Sequence, residues 1–458
     1  MKSANLFVLL SLVSFLSACG GGGGGSSPAA GASSARLIPS SIAQSSSLST
    51  ASVAPVSSLA ASSSLGNSSS SPVSSLYPDY NTSPLAADAT GMGSTAVQVA
   101  SKIKLGFNFG NTLEAIGGET AWGNPLITEA QIQWVKEAGF DAIRLPVAWD
   151  QYANQQTAAI SLEWLNRVKQ VVGYAVDNNL YVIVNIHWDG GWLENNVTTD
   201  KQRANNAKQK AFWQQIATHL RDFDEHLIFA SANEPNVDNA AQMAVLDSYH
   251  QTFVDAVRAT GGKNANRVLV LQGPKTDIEE TDRLWTGMPS DSATNKLMAE
   301  VHFYTPFNFT LMTKDESWGK QFYYWGQGFH SATDTERNAS WGQEAWVDQM
   351  FDLMKTRFVD QGIPVILGEY SAMRRDNLTG EALELHLASR AYYFRYVTER
   401  ANTKGLIPFV WDTGSLFSRN NLVVTDQRVL DALLQGAGKT SSAAASSASA
   451  MSPAANSR

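Results

Sequence analysis

A chain of 458 residues with a formal net charge of −8 and no cluster of basic side chains is not built to grip a nucleic-acid backbone. One cysteine excludes an intrachain disulfide framework. Thirteen Trp and thirteen Tyr are enough to serve a large core and still leave aromatic faces for a binding surface.

Taken from its beginning, the chain places Lys2 before a short apolar stretch, Leu6 to Leu16, that is too short to span a bilayer, so residues 1–18 read as a secretion signal. Leu16-Ser17-Ala18-Cys19 resembles the lipobox at which bacterial lipoproteins are cleaved and acylated. That resemblance implies a lipid-bearing N-terminus at Cys19; the alternative is an ordinary signal peptide cut nearby. Residues 19–85 open with six glycines and continue in Ser, Ala and Pro with hardly a charge, a composition that cannot build a core. They are expected to form a flexible tether with ends roughly 45 Å apart. Residues 439–458 share the bias and are expected to be a disordered tail, which leaves residues 86–438 as one folded domain.

Within that domain short apolar runs alternate with amphipathic segments. Strands are predicted to begin near Ile103, Ala142, Tyr181, Leu227, Arg267, Leu297, Val365 and Leu406, mostly apolar as parallel strands covered on both faces should be. Between them fall helical patterns at Thr128–Ala138, Leu162–Asp177, Lys208–Arg221, Ala240–Arg258, Trp346–Asp360 and Glu381–Arg400. Eight strands alternating with helices specify a (β/α)8 TIM barrel, whose functional residues gather where strands end.

The strand ends therefore form a candidate site. In order they carry Asn111, Arg144, His187 with Trp188, Asn233 with Glu234, His302 with Tyr304, Glu369, and Trp411. Each alone has a plain structural reading: an arginine paired with a structural acid, a histidine satisfied at the barrel mouth, a tryptophan capping the core. Polar or aromatic groups on seven strands converging at one rim do not.

Asn233-Glu234-Pro235 after the fourth strand and Glu369 after the seventh resemble the acid/base and nucleophile positions of family 5 glycoside hydrolases, and Arg144, His187, Asn233, His302, Tyr304 and Trp411 fall on further positions of that family. Three longer motifs, Gly106-Phe107-Asn108-Phe109-Gly110-Asn111-Thr112, Glu119-Thr120-Ala121-Trp122-Gly123-Asn124-Pro125 and Phe409-Val410-Trp411-Asp412, resemble its subfamily 4, the endo-β-1,4-glucanases that include xyloglucanases. Phe107, Phe109 and Thr413 depart from the usual Trp, Leu and Asn, and are expected to alter sugar contacts. The resemblance implies hydrolysis of a β-1,4-linked polysaccharide by an endo-acting, retaining enzyme; cellulose, mixed-linkage glucan, xyloglucan and mannan stay open as backbones.

Physical chemistry agrees with that division of labour. Two carboxylates about 5–5.5 Å apart across a glycosidic bond can act as nucleophile and as acid, then base. Arg144 and Tyr304 are expected to hold Glu369 ionised, and Glu234 is expected to have less positive charge near it. Asn233 is expected at the sugar 2-hydroxyl, and Trp411 beneath the ring. The long loop from Thr305 to Trp346 carries Phe307, Phe309, Trp318, Tyr323, Tyr324, Trp325 and Trp341, and is expected to wall the leaving-group side of the cleft. No metal-ligand spacing stands out, and neither metal nor cofactor is expected. A noncatalytic glycan-binding barrel would keep the aromatic rim and lose a carboxylate. An aldolase or barrel oxidoreductase would want a strand-end Lys or a phosphate loop. A monomer is expected, held to a membrane only through Cys19. Gly20 follows that cysteine in place of an inner-membrane-retaining Asp, so an outward-facing outer-membrane lipoprotein is expected.

Overall fold

The computed structural model describes residues 75–440. Cys19, the signal segment, most of the tether and most of the tail lie outside the described residues. Eight parallel strands close into one barrel in chain order: β1 (Gly106–Phe109), β2 (Ala142–Leu145), β3 (Tyr181–Asn185), β4 (Leu227–Ala230), β5 (Leu269–Gln272), β6 (Leu297–Phe303), β7 (Val365–Tyr370) and β8 (Leu406–Asp412). Helix α1 (Ala96–Ser101) precedes β1. Around the barrel follow α2 (Glu129–Glu137), α3 (Leu162–Asp177), α4 (Gln202–Leu220), α5 (Ala240–Ala259), α6 (Ile278–Leu284), the single turn α7 (Phe307–Thr310), α8 (Glu344–Arg357), α9 (Gly380–Lys404) and α10 (Gln427–Gly436).

The period of two along each strand sorts side chains into two layers. Phe107, Ile143, Val182, Val184, Phe229, Leu271, Val301, Leu367 and Val410 face the helices in one continuous apolar layer. Ala142, Ile183, Ile228, Val270, Met298, Ile366, Ile407 and Phe409 fill the interior, and Ala96, Val99 and Ile103 close its floor. Crowding there is severe enough that a Cβ at Gly106 would meet the Phe409 ring at 2.1 Å. One step further along the same strands the interior becomes polar, with Asn108, Arg144, Asn185, Gln272 and Glu300 all buried. A dry floor and a charged mouth thus follow from one alternation.

A single irregularity breaks it. Val301 pairs with Leu367 and His302 with Glu369, so Gly368 is passed over, and towards β8 the pairing jumps from Leu367 to Tyr370. Strict alternation after Ile366 would turn Glu369 towards the helices; the bulge turns it into the barrel mouth. Only glycine fits at the bulge, because a Cβ at position 368 would lie 2.1 Å from Oε1 of Glu300.

Several expected boundaries shift. Ile103 belongs to the floor below β1, and Arg267 precedes β5, where its guanidinium donates to the carbonyls of Arg221, Phe223, Asp224 and Leu227. Phe107 and Phe109 are buried against each other and Phe140, with ring centroids 5.2 and 5.3 Å from Phe107, so their departure from the family pattern changes the helix-facing layer and not the sugar contacts expected of it. The assignment of 75–85 to the flexible tether is also corrected. Tyr80 donates its hydroxyl to Thr157 O at 2.7 Å and its backbone N–H to Gln214 Oε1 at 3.0 Å, and the Leu85 N–H reaches Thr260 O at 3.1 Å. A composition poor in large apolar residues hid two tyrosines, Tyr77 and Tyr80, that pack on the outer layer. At the other end Lys439, expected in the tail, pairs with Asp141 at 2.6 Å. Replacing Tyr80 by Ala is expected to lower unfolding stability by about 1–3 kcal/mol while leaving kcat unchanged, as read from denaturant melts beside activity assays.

Candidate active site

Arg144 on β2 occupies the centre of the polar mouth and is fully buried. One guanidinium nitrogen donates to Asn108 Oδ1 at 3.0 Å and to Glu369 Oε1 at 2.9 Å, and the other donates to Asn233 Oδ1 at 3.0 Å. Its Nε lies 3.0 Å from Glu300 as an ion-pair contact. Four other strands are tied to β2 through this one guanidinium, the geometry in which arginine differs from lysine. Asn108 turns its amide to the Gly368 carbonyl at 2.8 Å and so grips the bulge itself.

Glu369 receives a second hydrogen bond, from the Tyr304 hydroxyl to Oε2 at 2.9 Å. Burial raises its carboxyl above the ordinary value; the cations of His302 and Arg144 and the Tyr304 hydrogen bond pull the other way, and the charge of Glu234 adds to the rise. Burial thus opposes Arg144 and Tyr304, the partners expected to hold it ionised. Tyr304 is itself pushed well up by burial and by the carboxylates of Glu369 and Glu234, which keeps it a hydrogen-bond donor.

Glu234 is the more open acid, its side chain 31% exposed against 8% for Glu369. Among the described residues its ion-pair contact is with His302 alone, whose Nδ1 sits 2.8 Å from its Oε1, whereas Glu369 has both Arg144 and His302 close by. Burial alone would lower the His302 imidazole, but the carboxylates of Glu369, Glu234 and Glu300 outweigh it and raise it to about 10. His302 Nε2 lies 3.2 Å from Glu300, and Nδ1 lies 3.8 Å from Glu369. Glu300 is buried, yet Arg144 and the His302 hydrogen bond lower its carboxyl. Gln272 secures it further, donating to Oε2 at 2.6 Å.

Glu234, His302 and Glu369 bring one oxygen or nitrogen each within 4.8 Å of one another, the atom types of a metal site. Both His302 nitrogens already face carboxylates, so protons satisfy the arrangement. His187 lies parallel to Trp411, 7° between planes and 5.7 Å between centroids, and burial together with the cations Arg144 and His302 holds its imidazole well below the ordinary value. A neutral, hydrogen-bonding His187 beside an indole face makes a floor for a ring. Trp188 and Asn111 stand on the same rim, half-buried, without hydrogen bonds from their side chains to the carboxylates. Asn111 is held by its backbone, in left-handed conformation with φ 59°, through Glu114 and Asn124.

The long β6 loop differs most from expectation. Phe309, Tyr323, Tyr324 and Trp325 are buried, Phe309 and Trp325 within the helix-facing core beside α9, where Trp325 packs on Tyr392, Tyr393 and Tyr396. Arg375 donates to the carbonyls of Asn308, Phe309 and Met312, so the loop is pinned from beneath. Only Phe307, Trp318 and Trp341 of the seven aromatics remain on its outside, Trp318 60% and Trp341 46% exposed. Apolar residues in a loop this long must cover themselves before they cover a ligand.

Two acids at the mouth escaped the sequence reading. Glu300, His302 and Tyr304 alternate along one strand, so their shared inward face was available as a signal. Glu194 on the β3–α4 loop had none. Its Oε2 accepts from the Glu234 N–H at 3.1 Å and from Asn233 Nδ2 at 3.3 Å, and burial with the charge of Glu234 pushes its carboxyl up to about 8.

Residues 106–416 match the family described as cellulase (glycosyl hydrolase family 5). The xyloglucan-specific endo-β-1,4-glucanase of Bacteroides ovatus is 38% identical over 373 residues, covering 77% of this chain and 72% of that protein. Endoglucanase A of Paenibacillus barcinonensis is 35% identical over 392 residues, 79% of this chain and 94% of its own. Among solved structures, the Bacteroides ovatus xyloglucanase in complex with a XXXG heptasaccharide superposes with a TM-score of 0.73 at 35% identity, covering 80% of this chain and 81% of that one.

Glu300→Gln removes one of three carboxylates that face His302. In that variant the imidazole titration is expected to move down from about 10 towards the ordinary histidine range, followed by NMR of the ring carbons. Leaving Arg144 with one fewer buried partner is expected to cost about 3–5 kcal/mol of stability.

Proposed function

The chain belongs to the cellulase family, glycosyl hydrolase family 5, as a glycoside hydrolase of the endo-β-1,4-glucanase type, and from that premise we propose that it cleaves its polysaccharide by retaining double displacement on Glu369 and Glu234. The observation that carries this reading is the pair itself: oxygens of the two carboxyl groups lie within 4.8 Å, nearer the roughly 5–5.5 Å of retaining enzymes than the roughly 6.5–9.5 Å of inverting ones.

In the first step Glu369 attacks the anomeric carbon while Glu234 delivers a proton to the departing oxygen. Arg144 and Tyr304 aim the nucleophile, one on each oxygen. The exposed position of Glu234 suits contact with a leaving chain and afterwards with water. His302, donating to Glu234, keeps that carboxyl oriented between the two steps. Asn233 meets the 2-hydroxyl of the sugar being transferred, a contact that strengthens as positive charge develops at the neighbouring carbon. Trp411 and His187 lie beneath that ring, and Asn111 and Trp188 meet the chain further along the rim.

Xyloglucan is the backbone we place first. Three solved xyloglucanases are 34–35% identical to this chain over 74–80% of its length. Four broad-specificity endoglucanases of subfamily 4 range from 27 to 30%, and another reaches 34%. Initial rates on xyloglucan, mixed-linkage glucan, soluble cellulose and mannan decide it; a faster rate on any of the other three rejects this order.

Export and lipid attachment at Cys19 complete the proposal, with the tether holding the enzyme at the outer face of the outer membrane. Several acyl chains anchor stably where one does not. Polymeric glucan cannot cross the envelope, which favours outward display over a periplasmic enzyme trimming imported oligosaccharides.

Product released from a β-glucan is expected to appear first as the β-anomer in proton NMR, and Glu369→Gln to be inactive; first appearance of the α-anomer rejects double displacement. Glu234→Ala is expected to slow polysaccharide hydrolysis by about 10²–10⁴-fold, and aryl glycosides with activated leaving groups far less. Equal losses on both remove Glu234 from the acid role. Cys19→Ala is expected to release activity from the membrane fraction, and protease added to intact cells to remove the enzyme. Survival of the enzyme until the outer membrane is permeabilised places it on the periplasmic side.

A further inference from the structure

We propose that Glu194 is a positioning residue for the reaction: it locks the Asn233 amide in the one orientation that offers an N–H, not an oxygen, to the sugar 2-hydroxyl. This inference rests on the proposed role of Asn233. The β3–α4 loop is fastened beside the end of β4, with the Asn236 N–H on the Glu194 carbonyl at 2.9 Å and Asn236 Nδ2 on Asn195 Oδ1 at 2.9 Å. Held there, the Glu194 side chain turns one oxygen, Oε2, to two donors, Asn233 Nδ2 at 3.3 Å and the Glu234 backbone N–H at 3.1 Å.

Across the amide, Arg144 donates to Asn233 Oδ1 at 3.0 Å. The amide is thus clamped by chemistry of opposite kind at its two ends. Flipping it would set its oxygen against the oxygen of Glu194 and its NH2 against the guanidinium, two repulsions replacing two hydrogen bonds. One N–H of Asn233 is spent on Glu194, and the other has no partner among the described residues. Asn233 is 5% exposed, so a ligand meets it over a small area. A donor held this way selects a sugar oxygen that accepts, and its hydrogen bond costs no reorientation when the transition state forms. Burial favours the neutral form of Glu194 below about 8, and a neutral carboxyl still accepts both hydrogen bonds.

The inference separates acceptor from charge, and the test uses both. Glu194→Ala removes the acceptor; Glu194→Gln keeps an oxygen there without a titratable proton. Each is assayed on an aryl β-cellotrioside and on its analogue lacking the 2-hydroxyl of the glucose joined to the aryl group. Glu194→Ala is expected to lower kcat/KM on the hydroxylated substrate by about tenfold, the scale of one well-made hydrogen bond, and on the deoxy substrate by less than about twofold. Glu194→Gln is expected to stay within about threefold of the parent on both. Equal losses of Glu194→Ala on the two substrates, or loss on neither, overturn the inference. Should Glu194→Ala fail to fold, Glu194→Asn, which withdraws the oxygen by one methylene, takes its place under the same criteria. Asn233→Ala run in parallel keeps the two levels apart. If it is indifferent to the 2-hydroxyl, the proposed role of Asn233 fails; if it responds while Glu194→Ala does not, only the role of Glu194 fails.

Discussion

A guanidinium with no access to water is the constraint that the mouth of this barrel answers to. Burying the Arg144 cation costs several kcal/mol before any partner is counted. The structure offsets that with the carboxylates of Glu300 and Glu369 and with the amide oxygens of Asn108 and Asn233. Those partners arrive from β6, β7, β1 and the end of β4, so the charge pins β2 to strands on the far side of the barrel as well as to its neighbour β1. Its second effect bears on reactivity: Glu369, the proposed nucleophile, is the acid the cation needs. In the proposed mechanism, stability and catalysis thus meet in one ion pair.

His302 repeats the logic on a smaller scale. Three carboxylates surround it, and each of its nitrogens meets one of them at hydrogen-bond distance. Two cations and three acids thus share one mouth, open to water only at Glu234, and the protons are distributed by geometry more than by intrinsic acidity. Below this charged layer lies the dry floor of Phe409, Met298 and Ile366, sealed by α1. The floor gives the strands a rigid base, and rigidity is what holds the acids at a fixed separation.

How much of this was legible before folding depended on whether a residue's neighbours carried the signal. Glu234 and Glu369 end apolar runs, so the strand pattern alone delivered both to one rim. His302 and Tyr304 followed for the same reason. Glu300 sits one alternation earlier and was readable but unread. Glu194 belongs to a loop whose path depends on contacts with Asn236, far along the chain, and nothing local announces it. The loop aromatics failed in the opposite way. Phe309, Tyr323 and Trp325 have the composition of a sugar platform, yet Arg375 and α9 supply the surroundings that bury them. Tyr80 was concealed by the serines and alanines around it. Sequence pattern speaks reliably where periodicity repeats and poorly where a single side chain decides.

Gly368 carries a consequence for ancestry. Glu369, the proposed nucleophile, points into the mouth because β7 bulges at this residue, held by Asn108 on its carbonyl and by the space Glu300 fills where a side chain would be. A side chain at that one position would leave every proposed catalytic residue encoded and every apolar run unbroken, yet would collide with Glu300 and press the bulge out of shape. Loss of activity in a descendant lineage therefore has a route through a single changed codon, with Trp411 and His187 still stacked at the rim. Sequence searches that score only which acids are present would still count such a protein as an enzyme. The glycine between Leu367 and Glu369 is the character that separates them.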